Sequence, residues 1–341
     1  MTDTAVLFEN LHPVADAPLL AAGLRIERHA SALEPADLHT ALGDARVAGI
    51  RSRTKMTAAA FDAAPRLLAL GCFCIGTNQV DLDAAASHGI PVFNGPFGNT
   101  RSVAELTLAS VIMLMRGVPL RASAAKRGEW LKSATNSHEV RGKKLGIVGY
   151  GNIGSQLSVL ASGLGMHVYF YDVEPKLAHG NARSVGSLDE LLELCDVVTL
   201  HVPSLPTTHN MMNAQAIARM KPGSILINQA RGDLVDIDAL CAALESGHLI
   251  GAAVDVFPKE PASKDEAFVT PLQKFENIIL TPHVGGSTLE AQEAIGDDVA
   301  AKLARFLSHG ATKGAVNVPE IEPGAIKTGR VRLLSFHGNA P

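Results

Sequence analysis

The stretch GYGNIG at residues 149–154 restricts the fold more than any other part of the sequence. It follows an apolar run, Leu145–Val148, that predicts a buried strand, and it opens a stretch with helical spacing at Ile153–Gly163. In such a strand–turn–helix unit the glycines allow, in order, a tight turn, close approach of a pyrophosphate and close packing of helix on strand. These glycines are Gly149, Gly151 and Gly154. Because free N–H groups at a helix N-terminus attract phosphate, the motif predicts a Rossmann fold that binds a dinucleotide.

A carboxylate at the end of the next strand indicates which dinucleotide is bound. The run HVYFYD ends in Asp172, where a carboxylate accepts hydrogen bonds from the ribose hydroxyls and repels a 2′-phosphate. This predicts NAD rather than NADP. His201, Val202 and Pro203 close the apolar run Val197–Leu200. Since ligands of such sheets lie at the carboxyl ends of strands, we expect these three residues to line the cofactor site.

Short apolar runs alternate with helical patterns along most of the chain, which predicts an α/β protein with two doubly wound parallel sheets. The first series predicts strands at Ala5–Phe8, Leu24–Arg28, Val47–Ile50, Leu67–Cys72 and Pro91–Asn94. The second predicts strands at Leu145–Val148, His167–Tyr171, Val197–Leu200, Ser224–Asn228, Gly251–Val254 and Ile278–Leu280. Helices are predicted at Pro35–Leu42, Thr57–Ala63, Asp81–His88, Ser102–Arg116, Leu120–Gly128 and Leu289–His309. The segment Gly310–Gly324 is interpreted as a linker, and Val331–Phe336 as one more strand.

Three chemically suitable side chains each follow one of the last three predicted strands: Arg231, Glu260 and His283. Parallel strands bring their carboxyl ends to one edge of a sheet, so we expect the three to meet. Hydride transfer between a 2-hydroxy acid and nicotinamide needs a base near neutral pH, which histidine supplies. A neighbouring carboxylate raises the histidine pKa and orients the ring, and an arginine grips the substrate carboxylate. We predict these roles for His283, Glu260 and Arg231.

Composition excludes several other classes of protein. The net charge is −4 without clustered basic residues, so neither a nucleic acid nor a membrane surface is predicted as a partner. No apolar run has the length of a membrane span, and no signal peptide opens the chain. The four cysteines, Cys72, Cys74, Cys195 and Cys241, lack the spacing of a metal site. We predict a cytoplasmic protein without a bound metal.

Several stretches together resemble the D-isomer-specific 2-hydroxyacid dehydrogenases: IRSRT, GCFCIGTNQVDLDAAA, NTRSVAE, KKLGIVGYGNIG, INQARG, DVFPKEP and LTPHVGGST. The resemblance covers nearly the whole chain. It implies a flavodoxin-like substrate domain, residues 1–98 and 286–325, into which a Rossmann NAD-binding domain, residues 99–285, is inserted. It implies Arg231, Glu260 and His283 as catalytic residues. The cofactor contacts that it implies, beyond the glycines of the turn, Asp172 and residues 201–203, are Asn152, Ile153, Gln229, Ala230, Arg231, Asp255, His283, Val284, Gly285 and Gly286, with Asp255 holding the nicotinamide amide.

The resemblance also implies a substrate. It is nearest to the branch that oxidises 3-phospho-D-glycerate at the start of serine biosynthesis, with 2-oxoglutarate as a second substrate. The residues that match its substrate contacts are Arg51, Ser52, Arg53, Asn99, Lys132, Arg231 and His283. A homodimer or homotetramer is implied, with the stretch around Trp130 at a subunit contact. The departure from the family's pattern is Gln229, where Ser or Thr often stands.

One further expectation and two alternative functions remain open at this point. Residues 326–341 resemble the first strand of an ACT-type regulatory domain, so we expect the chain to carry only the start of that domain. One alternative function is a hydroxypyruvate or glyoxylate reductase of the same family. Another is an NAD-sensing binding protein that resembles the corepressors built on this fold. The arginines at 51 and 53 favour a more anionic substrate than hydroxypyruvate, and Glu260 disfavours a formate dehydrogenase, whose branch has Gln there.

Overall fold

The computed structural model describes residues 3–261, 266–324, 329 and 331–333. The chain divides into two compact units, one formed by Met1–Asn99 with Thr288–Pro341 and the other by Thr100–Ser287. Each unit contains one parallel β-sheet with helices. The predicted fold class, α/β with two doubly wound sheets, is therefore confirmed.

The first unit has five strands in the order β2-β1-β3-β4-β5, which is the flavodoxin-like order. Its strands are β1 (Thr4–Leu7), β2 (Arg25–Arg28), β3 (Ala45–Ile50), β4 (Ala69–Cys72) and β5 (Val92–Asn94). Its helices are α1 (Asp16–Ala21), α2 (Pro35–Leu42), α3 (Ala58–Asp62), α4 (Leu82–Ser87) and, from the C-terminal part, α11 (Leu289–His309). Alternate residues of β1 lie in different cores, Ala5 and Leu7 in one and Val6 in the other, so the sheet is covered on both faces.

The second unit has seven strands in the order β12-β11-β10-β9-β6-β7-β8. Its strands are β6 (Lys144–Val148), β7 (His167–Tyr171), β8 (Arg183–Ser184), β9 (Val197–Leu200), β10 (Ser224–Asn228), β11 (Leu249–Val254) and β12 (Ile278–Leu280). Its helices are α5 (Thr100–Met115), α6 (Val118–Lys126), α7 (Asn152–Gly163), α8 (Leu188–Leu194), α9 (Ala214–Arg219) and α10 (Ile237–Glu245). The change of direction between β6 and β9 is the switch point at which open α/β sheets bind ligands.

The structure differs from the sequence predictions at two short elements. Strand β8 was not predicted because both of its residues are exposed and offer no apolar run. Helix α1 was not predicted because its six residues include Pro18 and bury only Leu19. Within the described residues no single helix is long and apolar enough to span a membrane; only α5 and α6 together, bent by 70°, meet that test.

The C-terminal segments also differ from their predictions. Gly310–Gly324 has no helix or strand but is not a free linker: Val316 N–H donates to Val92 O at 2.9 Å. Asn317 accepts from Val92 N–H at 2.8 Å and donates to Ile90 O at 2.9 Å, so this segment is fixed to the edge of the first sheet. Residues 331–333 of the predicted terminal strand are not in a strand, and its remainder lies outside the described residues.

Candidate active site

The glycine-rich turn between β6 and α7 has the geometry that a phosphate site requires. Gly149 has φ +92°, and a Cβ there would lie 2.6 Å from His201 O. A Cβ on Gly154 would lie 2.3 Å from Gly149 O, so the helix approaches the strand as closely as its backbone permits. A Cβ on Gly151 would meet nothing within 4 Å, and this residue precedes the first turn of α7. The exposed N-terminus of the helix, with Asn152 and half-buried Ile153, therefore offers free N–H groups to a pyrophosphate.

Asp172 lies directly after β7 and beside this turn. Its Oδ2 accepts the Tyr150 N–H at 2.8 Å, and its Oδ1 accepts the Glu174 N–H at 3.0 Å. These two bonds fix the carboxylate in place, while a carboxylate has room for about four hydrogen bonds in all. Asp172 can therefore also accept the two ribose hydroxyls of an adenosine. The residues of the turn and Asp172 together fit NAD.

His201 follows β9, the strand next to β6. Its Nε2 lies 3.1 Å from Thr199 Oγ1, whereas its buried Nδ1 has no partner among the described residues. Burial lowers the pKa of His201 to about 4, so this ring is neutral at physiological pH. Val202 and Pro203 follow it toward the exposed surface. The neutral ring suits the wall of a cofactor site better than a proton-transfer role.

The three predicted catalytic side chains lie in loops that follow the adjacent strands β10, β11 and β12. His283 Nδ1 lies 3.0 Å from both carboxylate oxygens of Glu260. Because a carboxylate only accepts hydrogen bonds, Nδ1 carries the proton, and Nε2 has no hydrogen-bond partner in the described parts of the chain. The Glu260 carboxylate also accepts the Phe257 N–H at 3.2 Å. The arrangement presents an oriented imidazole whose second nitrogen is available to a reactant.

The pKa values of His283 and Glu260 are shifted in the directions expected of an acid–base pair. The hydrogen bond that His283 donates to Glu260 raises the pKa of His283, burial opposes this, and the negative charges of Glu260 and Asp255 add to it. Burial alone would raise the pKa of Glu260, but the hydrogen bond and charge of His283 outweigh it and lower the pKa. The positive charge of Arg231 lowers both values. The structure therefore brings Arg231 within electrostatic range of the pair, and Glu260 favours the protonated form of His283.

Asp255 fixes the loop that carries His283. Its carboxylate accepts the Thr281 hydroxyl at 2.6 Å, the Val284 N–H at 2.9 Å and the Gly285 N–H at 2.8 Å. The side chain is 1% exposed, and His283 has the left-handed φ of 54° in the loop that it holds. In this structure the Asp255 carboxylate is hydrogen-bonded to the loop that carries His283. Its contact with the nicotinamide amide, and the contacts of Val284 to Gly286 with cofactor, stay predictions.

Gln229 lies next to Ala230 and Arg231 but its side chain faces α5. Its Oε1 accepts the Thr107 hydroxyl at 2.7 Å, and its Nε2 donates to Ser110 Oγ at 3.2 Å. All three side chains are buried. Only the main chain of Gln229 is therefore available to a cofactor. Its two partners on α5 were not predictable, because hydroxyl groups in an apolar helix follow no specific pattern.

The predicted substrate residues outside this group are placed as follows. Arg51 is half-buried and Ser52 and Arg53 are exposed, in the loop after β3 of the first unit. The backbone N–H groups of this loop donate hydrogen bonds to Glu9, a residue that no sequence motif indicated. Asn99 is the last residue of that part of the first unit, and Lys132 is exposed in the loop after α6 of the second.

Comparison with known proteins shows which proteins this chain is similar to. Residues 108–285 match the family described as D-isomer specific 2-hydroxyacid dehydrogenase, NAD binding domain. The chain is 58% identical over 337 residues to D-3-phosphoglycerate dehydrogenase of Haemophilus influenzae, covering 98% of this chain and 82% of that protein. The solved D-2-hydroxyisocaproate dehydrogenase has a TM-score of 0.83 at 26% identity, covering 92% of this chain and 99% of its own. D-Lactate dehydrogenase of Aquifex aeolicus, solved with NAD and lactic acid, has a TM-score of 0.76 at 29% identity, covering 89% and 95%.

Proposed function

This chain belongs to the D-isomer specific 2-hydroxyacid dehydrogenases, and on that premise we propose that it oxidises 3-phospho-D-glycerate to 3-phosphohydroxypyruvate, the first step of serine biosynthesis. The family match is to an NAD binding domain, so the protein is an NAD-dependent oxidoreductase. Similarity to the D-3-phosphoglycerate dehydrogenase of Haemophilus influenzae supports the phosphorylated substrate. We assign cofactor binding to the domain of residues 99–285. The loop that binds the phosphate of the substrate, residues 51–53, is assigned to the domain of residues 1–98 and 286–325.

The observation that carries the proposed chemistry is the contact of 3.0 Å between His283 and Glu260. During oxidation Nε2 of His283 takes the proton of the substrate 2-hydroxyl, and Glu260 stabilises the imidazolium that results. NAD, held by the glycine-rich turn and Asp172, would supply the acceptor for the hydride that leaves C2 of the substrate. The Arg231 guanidinium binds the substrate carboxylate and polarises the reacting oxygen. In the reverse direction His283 returns the proton to the carbonyl oxygen.

The substrate phosphate is assigned to Arg51 and Arg53, with Ser52, Asn99 and Lys132 as further contacts. Neither arginine forms an ion pair with the residues that the structure describes, so both positive charges are available to an anion. Guanidinium groups bind phosphate by paired hydrogen bonds. The same two charges suit the distal carboxylate of 2-oxoglutarate, and we propose its reduction as a second activity.

NADH oxidation with 3-phosphohydroxypyruvate, hydroxypyruvate and 2-oxoglutarate in parallel tests this assignment. We expect kcat/KM to favour the phosphorylated acid over hydroxypyruvate by about 10²-fold, or about 3 kcal/mol, and Arg51→Ala to remove that preference. Arg25→Ala, an exposed arginine of the edge strand β2, is the matched control and should keep it. Equal rates on both acids would identify a hydroxypyruvate reductase instead. Tight NAD binding without turnover of any acid would favour the NAD-sensing binding protein.

We also propose that the protein is a cytoplasmic homodimer or homotetramer. All four cysteines are free, which supports a reducing compartment. Large apolar side chains are exposed on α5, α6 and the loop after α6, with Trp130 at 85%: Ile112, Met113, Val118, Trp130 and Leu131. Such side chains on one part of a surface are typical of a subunit contact. Sedimentation at working concentration tests the proposal, and a monomer would refute it.

A further inference from the structure

The loop after β3 is held at its backbone by a single carboxylate. Glu9 Oε1 accepts the N–H of Arg51 at 3.1 Å and of Thr54 at 2.8 Å, and Oε2 accepts the N–H of Arg53 at 3.0 Å. Backbone N–H groups that converge in this way form an anion-binding nest. Hydrogen bonds to an ionised acceptor are about twice as strong as neutral ones. Both oxygens of Glu9 therefore fix the path of the chain between Arg51 and Thr54.

Two further observations show that this arrangement is imposed rather than incidental. Glu9 has φ +64° and the next residue, Asn10, has φ +50°, a left-handed conformation that non-glycine residues rarely adopt. Such a conformation costs about 1–3 kcal/mol and persists only where neighbouring contacts determine it. On its other side the loop is held by buried Gln79, whose Nε2 donates to Arg51 O at 2.7 Å.

The contacts of Glu9 are made with the backbone of the loop. An acid paired with the guanidinium groups would neutralise them, but among the described residues the Glu9 carboxylate accepts hydrogen bonds only from the main-chain N–H groups of residues 51, 53 and 54. The two arginine side chains keep their charge for an external anion, and the places from which they extend are set. This division of roles is what a loop needs if it is to discriminate one anion from another.

We propose that Glu9 is a positioning residue for substrate specificity: it presets the backbone from which Arg51 and Arg53 bind the phosphate of the substrate. The inference rests on the proposed function of those arginines. Its consequence is specific, since loss of Glu9 displaces the loop without touching His283, Glu260 or Arg231. Discrimination between phosphorylated and unphosphorylated acids should therefore fail before hydride transfer does.

Glu9→Gln is the test variant because its amide has one acceptor where the loop requires two. Whichever way the amide is turned, an NH₂ group faces a backbone N–H. We expect kcat/KM for 3-phosphohydroxypyruvate to fall about 10- to 100-fold, with KM for NADH unchanged and hydroxypyruvate affected less than about threefold. Glu27→Gln makes the same chemical change on β2 of the same unit and should leave all three values unchanged. Arg53→Ala and the double variant with Glu9→Gln are measured beside them.

The outcomes separate this inference from the proposed function. Loss of the phosphate preference in Glu9→Gln, with a double variant no worse than Arg53→Ala alone, supports it because the two residues then act together. If Arg53→Ala loses the preference and Glu9→Gln keeps it, the inference is wrong and the phosphate site stands. If Arg51→Ala and Arg53→Ala both keep the preference, the phosphate site and this inference fall together.

A general loss of stability is the remaining explanation and has its own measurement. If Glu9→Gln lowers activity on both acids equally and lowers the melting temperature, Glu9 is merely structural and the inference is overturned. If the variant does not fold, Glu9→Ala is assayed with and without added acetate, which replaces the missing part of the side chain. Recovery of activity on the phosphorylated acid alone supports the inference, and recovery on both acids or on neither contradicts it.

Discussion

Glu260→Gln is the substitution that most directly tests the acid–base pair. It preserves the size of the side chain and one acceptor for His283 Nδ1, but it removes the negative charge that lies 3.0 Å away. Because the hydrogen bond and charge of Glu260 both raise the pKa of His283, the variant should have a lower histidine pKa. Burial and the positive charge of Arg231, which act in the opposite direction, remain in place.

The magnitude follows from the distance and the exposure of the pair. Two unit charges 3.0 Å apart attract by about 1.4 kcal/mol when water screens them fully. The side chains of His283 and Glu260 are 52% and 38% exposed, so we take this water limit rather than the larger value of a protein interior. An energy of about 1.4 kcal/mol is a factor of about ten in the protonation equilibrium.

The rate of reduction and the rate of oxidation depend on pH in opposite ways. Reduction needs protonated His283, so its rate falls as pH rises through the histidine pKa, and in Glu260→Gln that fall should begin at lower pH. Above the pKa of the wild type, kcat/KM for reduction should be about tenfold lower than in the wild type. Oxidation needs neutral His283, so its rising limb should move to lower pH as well.

The assay is a pH profile of kcat/KM in both directions, with Glu276→Gln as control. Glu276 is an exposed acid of the same unit that pairs with Arg127, and it precedes β12 whereas His283 follows that strand. Unchanged profiles in Glu260→Gln, in a variant with the melting temperature of the wild type, would refute the claim that Glu260 sets the protonation of His283. A loss of rate without any shift of the profile would assign Glu260 to ring orientation alone.

Three further predictions concern the neighbouring groups. Arg231→Lys should lower kcat/KM for the acid about 10²-fold, as measured by steady-state kinetics, since a lysine cannot form the two-pronged bond to a carboxylate. Asp172→Ala should weaken NADH binding about tenfold and reduce the difference in affinity between NADH and NADPH, both followed by fluorescence titration. Gly154→Ala should destabilise the fold by about 1–3 kcal/mol because its Cβ would lie 2.3 Å from Gly149 O, whereas Gly151→Ala should keep the melting temperature and weaken NADH binding; calorimetry and titration separate the two.

The predictable parts of the fold are those in which several apolar residues recur at a fixed period. Strand β7, which pairs with β6 along its length, has the predicted bounds His167–Tyr171, and helix α11 has the predicted bounds Leu289–His309. Strand β8 pairs with Tyr169 and Phe170 through only two exposed residues, so its position depends on the sheet and not on its own sequence. The segment after α11 resembles a linker in sequence because its attachments are isolated hydrogen bonds of the Val316 N–H and the Asn317 side chain with a distant strand edge.

The candidate site divides along the same line. The positions of Arg231, Glu260 and His283 were predictable because residues after parallel strands share one edge of a sheet, and adjacency of their strands is a rule of topology. The contact of Glu9 with residues 51–54 was not predictable, because it joins segments about forty residues apart through main-chain N–H groups. A backbone N–H donor cannot be recognised from the residue type. A left-handed φ is usually recognised by a glycine, and neither Glu9 nor His283 is one.

The left-handed residues Glu9 and His283 point to a common principle in the two units. Asp255 binds the backbone around His283, and Glu9 binds the backbone of the loop with Arg51 and Arg53. In both cases a carboxylate takes up main-chain N–H groups, so the loop is fixed while Nε2 of the histidine and the guanidinium groups stay available. If the carboxylates instead formed ion pairs with the guanidinium groups or the imidazole, they would neutralise the charges that the proposed reaction needs. The strain accepted at two non-glycine residues, about 1–3 kcal/mol each, is therefore best explained as the cost of fixing reactive groups without neutralising them.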